Sequence, residues 1–521
     1  MPGMSCARKS GAGGCKSLGD GRMARGRATI QVTRPAPLGR MQLGMDQRKT
    51  TYTSPLETRY ASLAMRELFG EQRKFSTWRR IWLAIAEAQK KLGLQITDEQ
   101  IAQMSAHLDD IDFAKAEQYE RKSRHDVMAH VHAFADAAPA ARPIIHLGAT
   151  SQDVVDNTDL ILMRDGMRIL IGHLVNVIDA LAGFAVKHRD LPCLAFTHFQ
   201  PAQMTTVGKR ATLWCADFIR DLRELEYRLE NLEFRGIKGT TGTQASFLAL
   251  FDGDHKKVEQ LERMVAHKMG FAKIARVTGQ TYSRKVDAEI SLSIAGIGAS
   301  VHKFCNDVRL LAHRKEIEEP FEKTQVGSSA MAYKRNPMRC ERATGLARFL
   351  MDVAISPLRT AAEQWLERTL DDSSNKRLAV AETFLTADAI LQITLNVAQG
   401  LVVYPGVIAA GVAAELPFLA TENILMEAVK KGGDRQDLHE RIRQHSHAAS
   451  EQVKVYGRPN DLIERLKEDK KFAKVDLDAI MDAVTFIGRA PQQVNEFITG
   501  DVEPIRKKYA KLLGEKGEVK V

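Results

Sequence analysis

Between positions 160 and 184 apolar side chains recur at alternating intervals of three and four: Leu160, Met163, Met167, Leu170, Leu174, Val177, Leu181 and Phe184. That heptad stripe predicts a long helix over about 159–187, packed lengthwise against other helices. A second stripe, Ile290, Ile294, Ile297, Val301, Phe304, Val308 and Leu311, predicts another. Ala295, Gly296, Gly298, Ala299 and Ser300 interleave with it, which lets backbones approach closely at some cost in helix propensity. Further helical patterns cover about 203–233, 339–365 and 376–400. Together they predict an all-α fold built on a long-helix bundle. Shorter helices are expected before and after it. Thr97-Asp98-Glu99-Gln100 offers a helix start and 124–134 reads as a second helix, while Lys431-Gly432-Gly433 and Gly457-Arg458-Pro459 mark later turns. The expected organisation is a disordered basic extension over 1–50, helical domains over 51–150 and 404–521, and the bundle over 151–403. Stripes on several faces of one chain ask for more partners than that chain provides, so a homo-oligomer is expected.

Charge and composition narrow the function classes. The net charge of +10 looks like a nucleic-acid signal until it is located. Residues 1–50 hold ten basic side chains against two acidic ones, which is +8 of that total. The remaining body is near neutral, so no nucleic-acid surface is expected. Six cysteines lie scattered without a CxxC pair, which argues against a disulfide framework or a zinc site and for a reducing compartment. No run reads as a membrane span, because the most apolar stretch, 400–414, is short and carries Pro405. The extension is Gly-, Arg- and Pro-rich. An organelle transit peptide is one reading of it, but Gly and Pro spoil an amphipathic helix, so an upstream extension on a cytoplasmic protein is preferred.

The chemistry-bearing residues gather where the long helices begin or end. Thr150-Ser151-Gln152-Asp153 precedes the first stripe and Thr197-His198-Phe199-Gln200-Pro201 follows it. Gly279-Gln280-Thr281 precedes the second stripe and the segment GSSAMAYKRNP, 327–337, follows it. The segment 368–377, RTLDDSSNKR, lies between two later helices. Polar groups at helix ends can converge on a cleft while the bundle stays rigid. Small residues around Ser328 let backbone N–H groups approach a ligand, Lys334 can meet a carboxylate, and Asn336 can add a directional hydrogen bond. Each segment alone has a plainer reading: Thr150 as a helix cap, His198 as a loop residue, Arg368 and Arg377 as partners of Asp371 and Asp372. His125, His130 and His132 are close in sequence, but their spacing lacks an HExxH-like pairing, so no metal site is expected.

The 327–337 segment resembles the GSSxMPxKxN signature of the fumarase/aspartase lyases, departing only at Ala332, where that signature has Pro. The stretches RHDVMAHVHAF, IHLGATSQDVVDNTD, FTHFQPAQMTTVGKR, KGTTGTQASF and ERTLDDSSNKR resemble the adenylosuccinate lyases of the animal-like branch, from about Tyr52 onward. TSQD at 150–153 is more like other superfamily members. The resemblance implies β-elimination of fumarate from adenylosuccinate, leaving AMP, and from the ribotide SAICAR, leaving AICAR. It implies no metal or organic cofactor and a homotetramer with shared sites. By position, Ser328 resembles the base, His198 the general acid, and Lys334 the cation beside the carboxylate that gains charge. Thr150, Ser151, Gln280 and Asn336 would hold the succinyl carboxylates, with Thr197 beside His198. Arg59, Tyr60, Arg368, Ser373 and Arg377 would hold the 5′-phosphate, and Arg124, His125 and Asp126 the nucleotide, with Arg342 nearby. The alternatives are another lyase of the superfamily, such as argininosuccinate lyase or a fumarase, whose substrates carry no phosphate, and a catalytically silent structural homologue.

Overall fold

The structure is a computed structural model that describes residues 50–322 and 324–519. The chain divides into two units, Met1–Thr53 and Ser54–Val521, and everything below concerns the second. The extension expected over 1–50 lies outside the described residues except at Thr50.

Five helices make the bundle: α1 Ser151–Lys187, α2 Val207–Glu230, α3 Lys285–His313, α4 Met338–Val353 and α5 Asp371–Gly400. Every residue of both predicted stripes is buried in them. α1 starts eight residues before the predicted 159. Its first turns carry no apolar stripe, yet Asp153, Asp156, Asn157 and Thr158 are all buried. Polar partners replace the missing apolar contacts there. Thr150 donates its N–H to Asp153 Oδ2 (2.8 Å), and Asp153 Oδ1 meets the Arg235 guanidinium (2.5 Å) and the Lys238 N–H (2.9 Å). The pattern read over 339–365 breaks into two helices, α4 and Ile355–Ala362.

Side-chain contacts fix the helix directions. Trp214 Nε1, early in α2, donates to Asp307 late in α3, while Arg228, late in α2, reaches Glu289 early in α3. Arg339 at the start of α4 donates to Asn396 near the end of α5. Arg284, Asp156 and Asp372 join the starts of α3, α1 and α5. So α1, α3 and α5 run one way and α2 and α4 the other. The bundle has a first end, where α1, α3 and α5 begin, and a second end, where they finish.

Among the described residues the strands form two small sheets at the second end. The hairpin β1 (Pro192–Thr197) and β2 (Gln200–Thr206) links α1 to α2, and β3 (Ile317–Glu318) pairs with β4 (Val402–Val403). One large apolar core runs through the bundle and its flanking helices from Met65 to Val502, and a second gathers residues between Ala420 and Leu477.

The expectation that no run reads as a membrane span needs correction. α1 and α5 are long and apolar enough to cross a bilayer by length and composition. Their most apolar windows are, however, 67% and 78% buried against the rest of the protein, so the same apolarity serves the bundle core.

Candidate active site

The first end holds a buried charge network under a polar cavity. Arg284 bridges Asp156 Oδ1 (2.9 Å) and Asp372 Oδ2 (2.6 Å), and Lys376 reaches Asp156 (3.3 Å) and Asp159 (2.5 Å). Burial alone would raise the Asp156 carboxyl, but Arg284 and Lys376 outweigh it and hold the group down at about 2. On this base stand the sequence-predicted residues. Arg368 Nη1 donates to Gln280 Oε1 (2.8 Å), which fixes the orientation of the Gln280 amide. With its amide oriented to satisfy both neighbours, Gln152 donates to Asp156 (2.8 Å) and accepts from Arg368 (3.0 Å). Arg377 Nη2 pairs with Asp126 (3.0 Å), which brings the 124–126 segment to the same place. Gln152, Arg368, Ser373 and Arg377 line a cavity of about 270 Å³ there. Thr150 and Ser151 open α1 immediately beside Gln152. Arg124 ends its helix in the left-handed region (φ 56°), and His125 caps the next by accepting the Met128 N–H (3.4 Å).

The three neighbouring imidazoles diverge. His130 stacks on Phe75 with ring centroids 3.7 Å apart, and burial, with Arg79 and Lys74 nearby, pushes it down to about 4, so it stays neutral. His132 packs on Tyr119 instead.

The second end carries the acid–base candidates. Asn336 Nδ2 donates to Gly327 O (2.7 Å) and closes the neck of an exposed loop. Arg335 anchors it by reaching Tyr404 Oη (3.4 Å) and Glu318 (3.6 Å). Within the loop Ser328 Oγ accepts two backbone N–H groups, from Ala330 (3.3 Å) and Met331 (3.1 Å). A hydroxyl is a poor base unless ionised, and two fixed N–H donors aimed at its oxygen favour the alkoxide. Lys334 is exposed on the same loop. The motif shows Ser328 and Lys334 but not these backbone donors, which come from the fold of the loop.

His198 sits at the tip of the β1–β2 hairpin. His198 (φ 51°) and Phe199 (φ 58°) make its two-residue turn, both left-handed, as the twist of a tight hairpin requires. Such turns favour Asn and Gly, so a His-Phe turn stores backbone strain. The imidazole is exposed, with Thr197 beside it.

One chain does not bring all these residues together. α1 spans about 55 Å at 1.5 Å per residue, separating Thr150 from the base of the His198 hairpin. Along α5, about 35 Å separates Arg377 from Gly400, beside which the Ser328 loop is anchored. The five residues expected on the phosphate also divide. Ser62 binds Asp388 through its N–H (2.5 Å) and hydroxyl (2.9 Å), which places Arg59 and Tyr60 about 17 Å along α5 from Arg377. Tyr60 faces Arg342, whose guanidinium lies 5.9 Å from its ring centre.

This arrangement matches known proteins. The solved fumarate lyase from Mesorhizobium sp. BNC1 superposes with a TM-score of 0.72 at 24% identity, covering 86% of this chain and 100% of that one. The 3-carboxy-cis,cis-muconate lactonizing enzyme from Pseudomonas putida gives 0.74 at 20% identity, covering 86% and 99%. A family model described as Lyase matches residues 60–351. The fold is therefore that of the fumarate lyases, an all-α bundle with its polar groups at the helix ends. A second model, Adenylosuccinate lyase C-terminus, matches 417–497. The adenylosuccinate lyases of Saccharomyces cerevisiae and Schizosaccharomyces pombe are 53% and 52% identical, each over 89% of this chain and 97% and 98% of their own lengths. That of Schistosoma mansoni is 50% identical over 88% and 96%. The chain belongs to the adenylosuccinate lyase family.

Proposed function

We propose that this chain eliminates fumarate from adenylosuccinate, leaving AMP, and from SAICAR, leaving AICAR, at sites assembled from several copies. The observation that carries the reading is the pairing of a serine-bearing loop at one bundle end with a cation-lined cavity of about 270 Å³ at the other. A fumarase or an argininosuccinate lyase has no phosphate to place in such a cavity.

The elimination follows from the groups present. Ser328, as the alkoxide held by the Ala330 and Met331 N–H groups, takes a proton from the succinyl carbon beside a carboxylate. Charge builds on that carboxylate, and Lys334 with the Gln280 and Asn336 amides opposes it. The carbon–nitrogen bond breaks, the electron pair leaves with nitrogen, and His198 supplies the proton that makes the departing amine neutral. Thr150 and Ser151 hold the other carboxylate. Arg368, Ser373 and Arg377 hold the phosphate, joined by Arg59 and Tyr60 from another copy.

The two ends meet only when copies combine. A homotetramer, with His198 and Ser328 of one site on different chains, satisfies this, since packing copies lengthwise sets one chain's first end beside another's second. Leu213 on α2, Leu292 and Leu310 on α3, and Phe349 on α4 are large apolar side chains left exposed on the bundle. Leu292 and Leu310 lie about five turns apart and so share a face, as a partner's helix would require. A cytoplasmic location and small-molecule partners complete the proposal.

The test is to give the purified protein adenylosuccinate and follow AMP and fumarate. Stoichiometric release of both is expected. No turnover would favour a silent homologue, and cleavage of argininosuccinate instead would favour a different lyase.

A further inference from the structure

The cavity at the first end is lined by five basic side chains, Lys74, Arg284, Arg368, Lys376 and Arg377. Four of them already face carboxylates. Arg284 holds Asp156 and Asp372, Lys376 holds Asp156 and Asp159, Arg377 holds Asp126, and Arg368 lies 3.9 Å from Asp372. Lys74 is the exception. Among the described residues its ammonium has no ion-pair or hydrogen-bond partner and lies 5.1 and 5.2 Å from the Phe75 and Trp78 ring centres. It is also largely removed from water. Burial pushes its pKa down and Arg377 adds to that, while Asp159, Asp126 and Glu71 only partly offset it.

Ring faces alone compensate a partly desolvated ammonium beside a second cation less well than an anion does, so an anion entering the cavity stabilises it. Among the lining residues these five cations face four acids, Glu71, Asp159, Asp287 and Asp372. Geometry adds to the charge argument. Lys74 comes from the helix Glu71–Lys91, whereas Ser373 and Arg377 come from α5, so the two elements line the cavity together.

We infer that Lys74 is a further substrate-binding residue, setting its ammonium on the 5′-phosphate of the nucleotide together with Arg377 and Ser373. The inference rests on the nucleotide-lyase reading above and deepens it. Asp126 and Asp372 already take part of the charge of Arg377 and Arg368, so a phosphate dianion there gains from a further cation.

The experiment compares wild type, Lys74→Met and Lys74→Arg, measuring adenylosuccinate kinetics and inhibition by AMP and by adenosine. A lost charged hydrogen bond corresponds to about ten-fold or more in affinity. Lys74→Met is expected to weaken AMP and raise KM by about that factor, with kcat changed by less than about three-fold. Adenosine, which has no phosphate, should inhibit both proteins equally, and Lys74→Arg should recover most of the AMP affinity. If AMP and adenosine weaken together, Lys74 only supports the fold and the inference is overturned. Unchanged AMP inhibition overturns it as well. Should Lys74→Met melt below the assay temperature, Lys74→Gln is read by the same two criteria. A wild type that cleaves adenylosuccinate while the variant keeps AMP affinity sinks this inference alone. A wild type that neither binds AMP nor cleaves the substrate removes the lyase reading and the inference with it.

Discussion

Gly327→Ala tests whether the neck of the catalytic loop sets the chemistry. A Cβ at Gly327 would lie 2.1 Å from Lys334 O, a backbone atom that cannot swing away as a side-chain end can. Bringing that contact to 3.0 Å, the closest that real Cβ atoms tolerate, requires nearly 1 Å of separation between the two strands of the neck. The Asn336 Nδ2 to Gly327 O bond of 2.7 Å closes this same neck, so it stretches or breaks. Ser328 follows Gly327 and Lys334 carries the opposing carbonyl, so the proposed base and cation move apart together. A misplacement of about 1 Å at reacting groups costs roughly 100-fold in rate. The loop is largely exposed and lies outside the apolar core, so the folding cost should stay near that of the one hydrogen bond, about 1 kcal/mol. The assay is kcat for adenylosuccinate cleavage beside a thermal melt of the same preparation. A kcat within about three-fold of wild type would refute the argument that this neck positions Ser328 and Lys334.

Other expectations follow from the same geometry. His198→Gln and Ser328→Ala should each lower kcat by at least ~100-fold with unchanged helical circular dichroism, and near-normal turnover removes that residue from its role. His173 sits between Asp388 (3.0 Å) and Glu515 (2.9 Å). Burial opposes its charge, but the two carboxylates prevail and raise it from 6.5 to about 9. The stability it contributes is therefore fully present below pH 6.5 and is lost as pH rises through about 9. Proteolysis of the C-terminal segment should accelerate over that range in wild type but not in His173→Gln, and equal rates at both pH values would contradict the clasp. Ala332→Pro should restrict the open loop, reducing nicking within it or lowering KM, because proline narrows the free backbone's choices. A loop cut at the wild-type rate with unchanged KM would show the substitution to be neutral.

The bundle was legible because burial writes its period into the chain, and every residue of both stripes is buried. Helix starts were less so. Asp153, Asp156 and Asn157 are buried through ion pairs and hydrogen bonds, which leave no hydrophobic pattern to read. The His198 hairpin was invisible for a related reason. Its turn residues are His and Phe, not the Asn and Gly that announce such turns, so the sequence showed a polar link where the chain builds two strands. Site residues were readable as motifs, but not their grouping. Arg59 and Arg377 were expected on one phosphate, and the structure places them some 17 Å apart along one chain. Lys74 had no signal at all. On an amphipathic helix it reads as a solvated lysine until the unpaired cavity it lines is seen.

The central claim is that each site combines the first end of one chain with the second end of another, and mixing two inactive proteins tests it. Ser328→Ala removes the proposed base at the second end, and Arg377→Met removes a proposed phosphate anchor at the first, about 35 Å away along α5. Losing a charged contact to the phosphate should cost about 10- to 100-fold at low substrate, so both parents begin nearly silent. The two proteins are mixed in equal amounts, dissociated and allowed to reassociate, and activity is read at substrate well below KM. If the two residues of a site come from different chains, about a quarter of sites draw the wild-type residue at both positions, and activity should rise to about that fraction of wild type. Activity that stays at the average of the parents, in samples shown to contain mixed oligomers, would place both residues of a site on one chain and contradict the account.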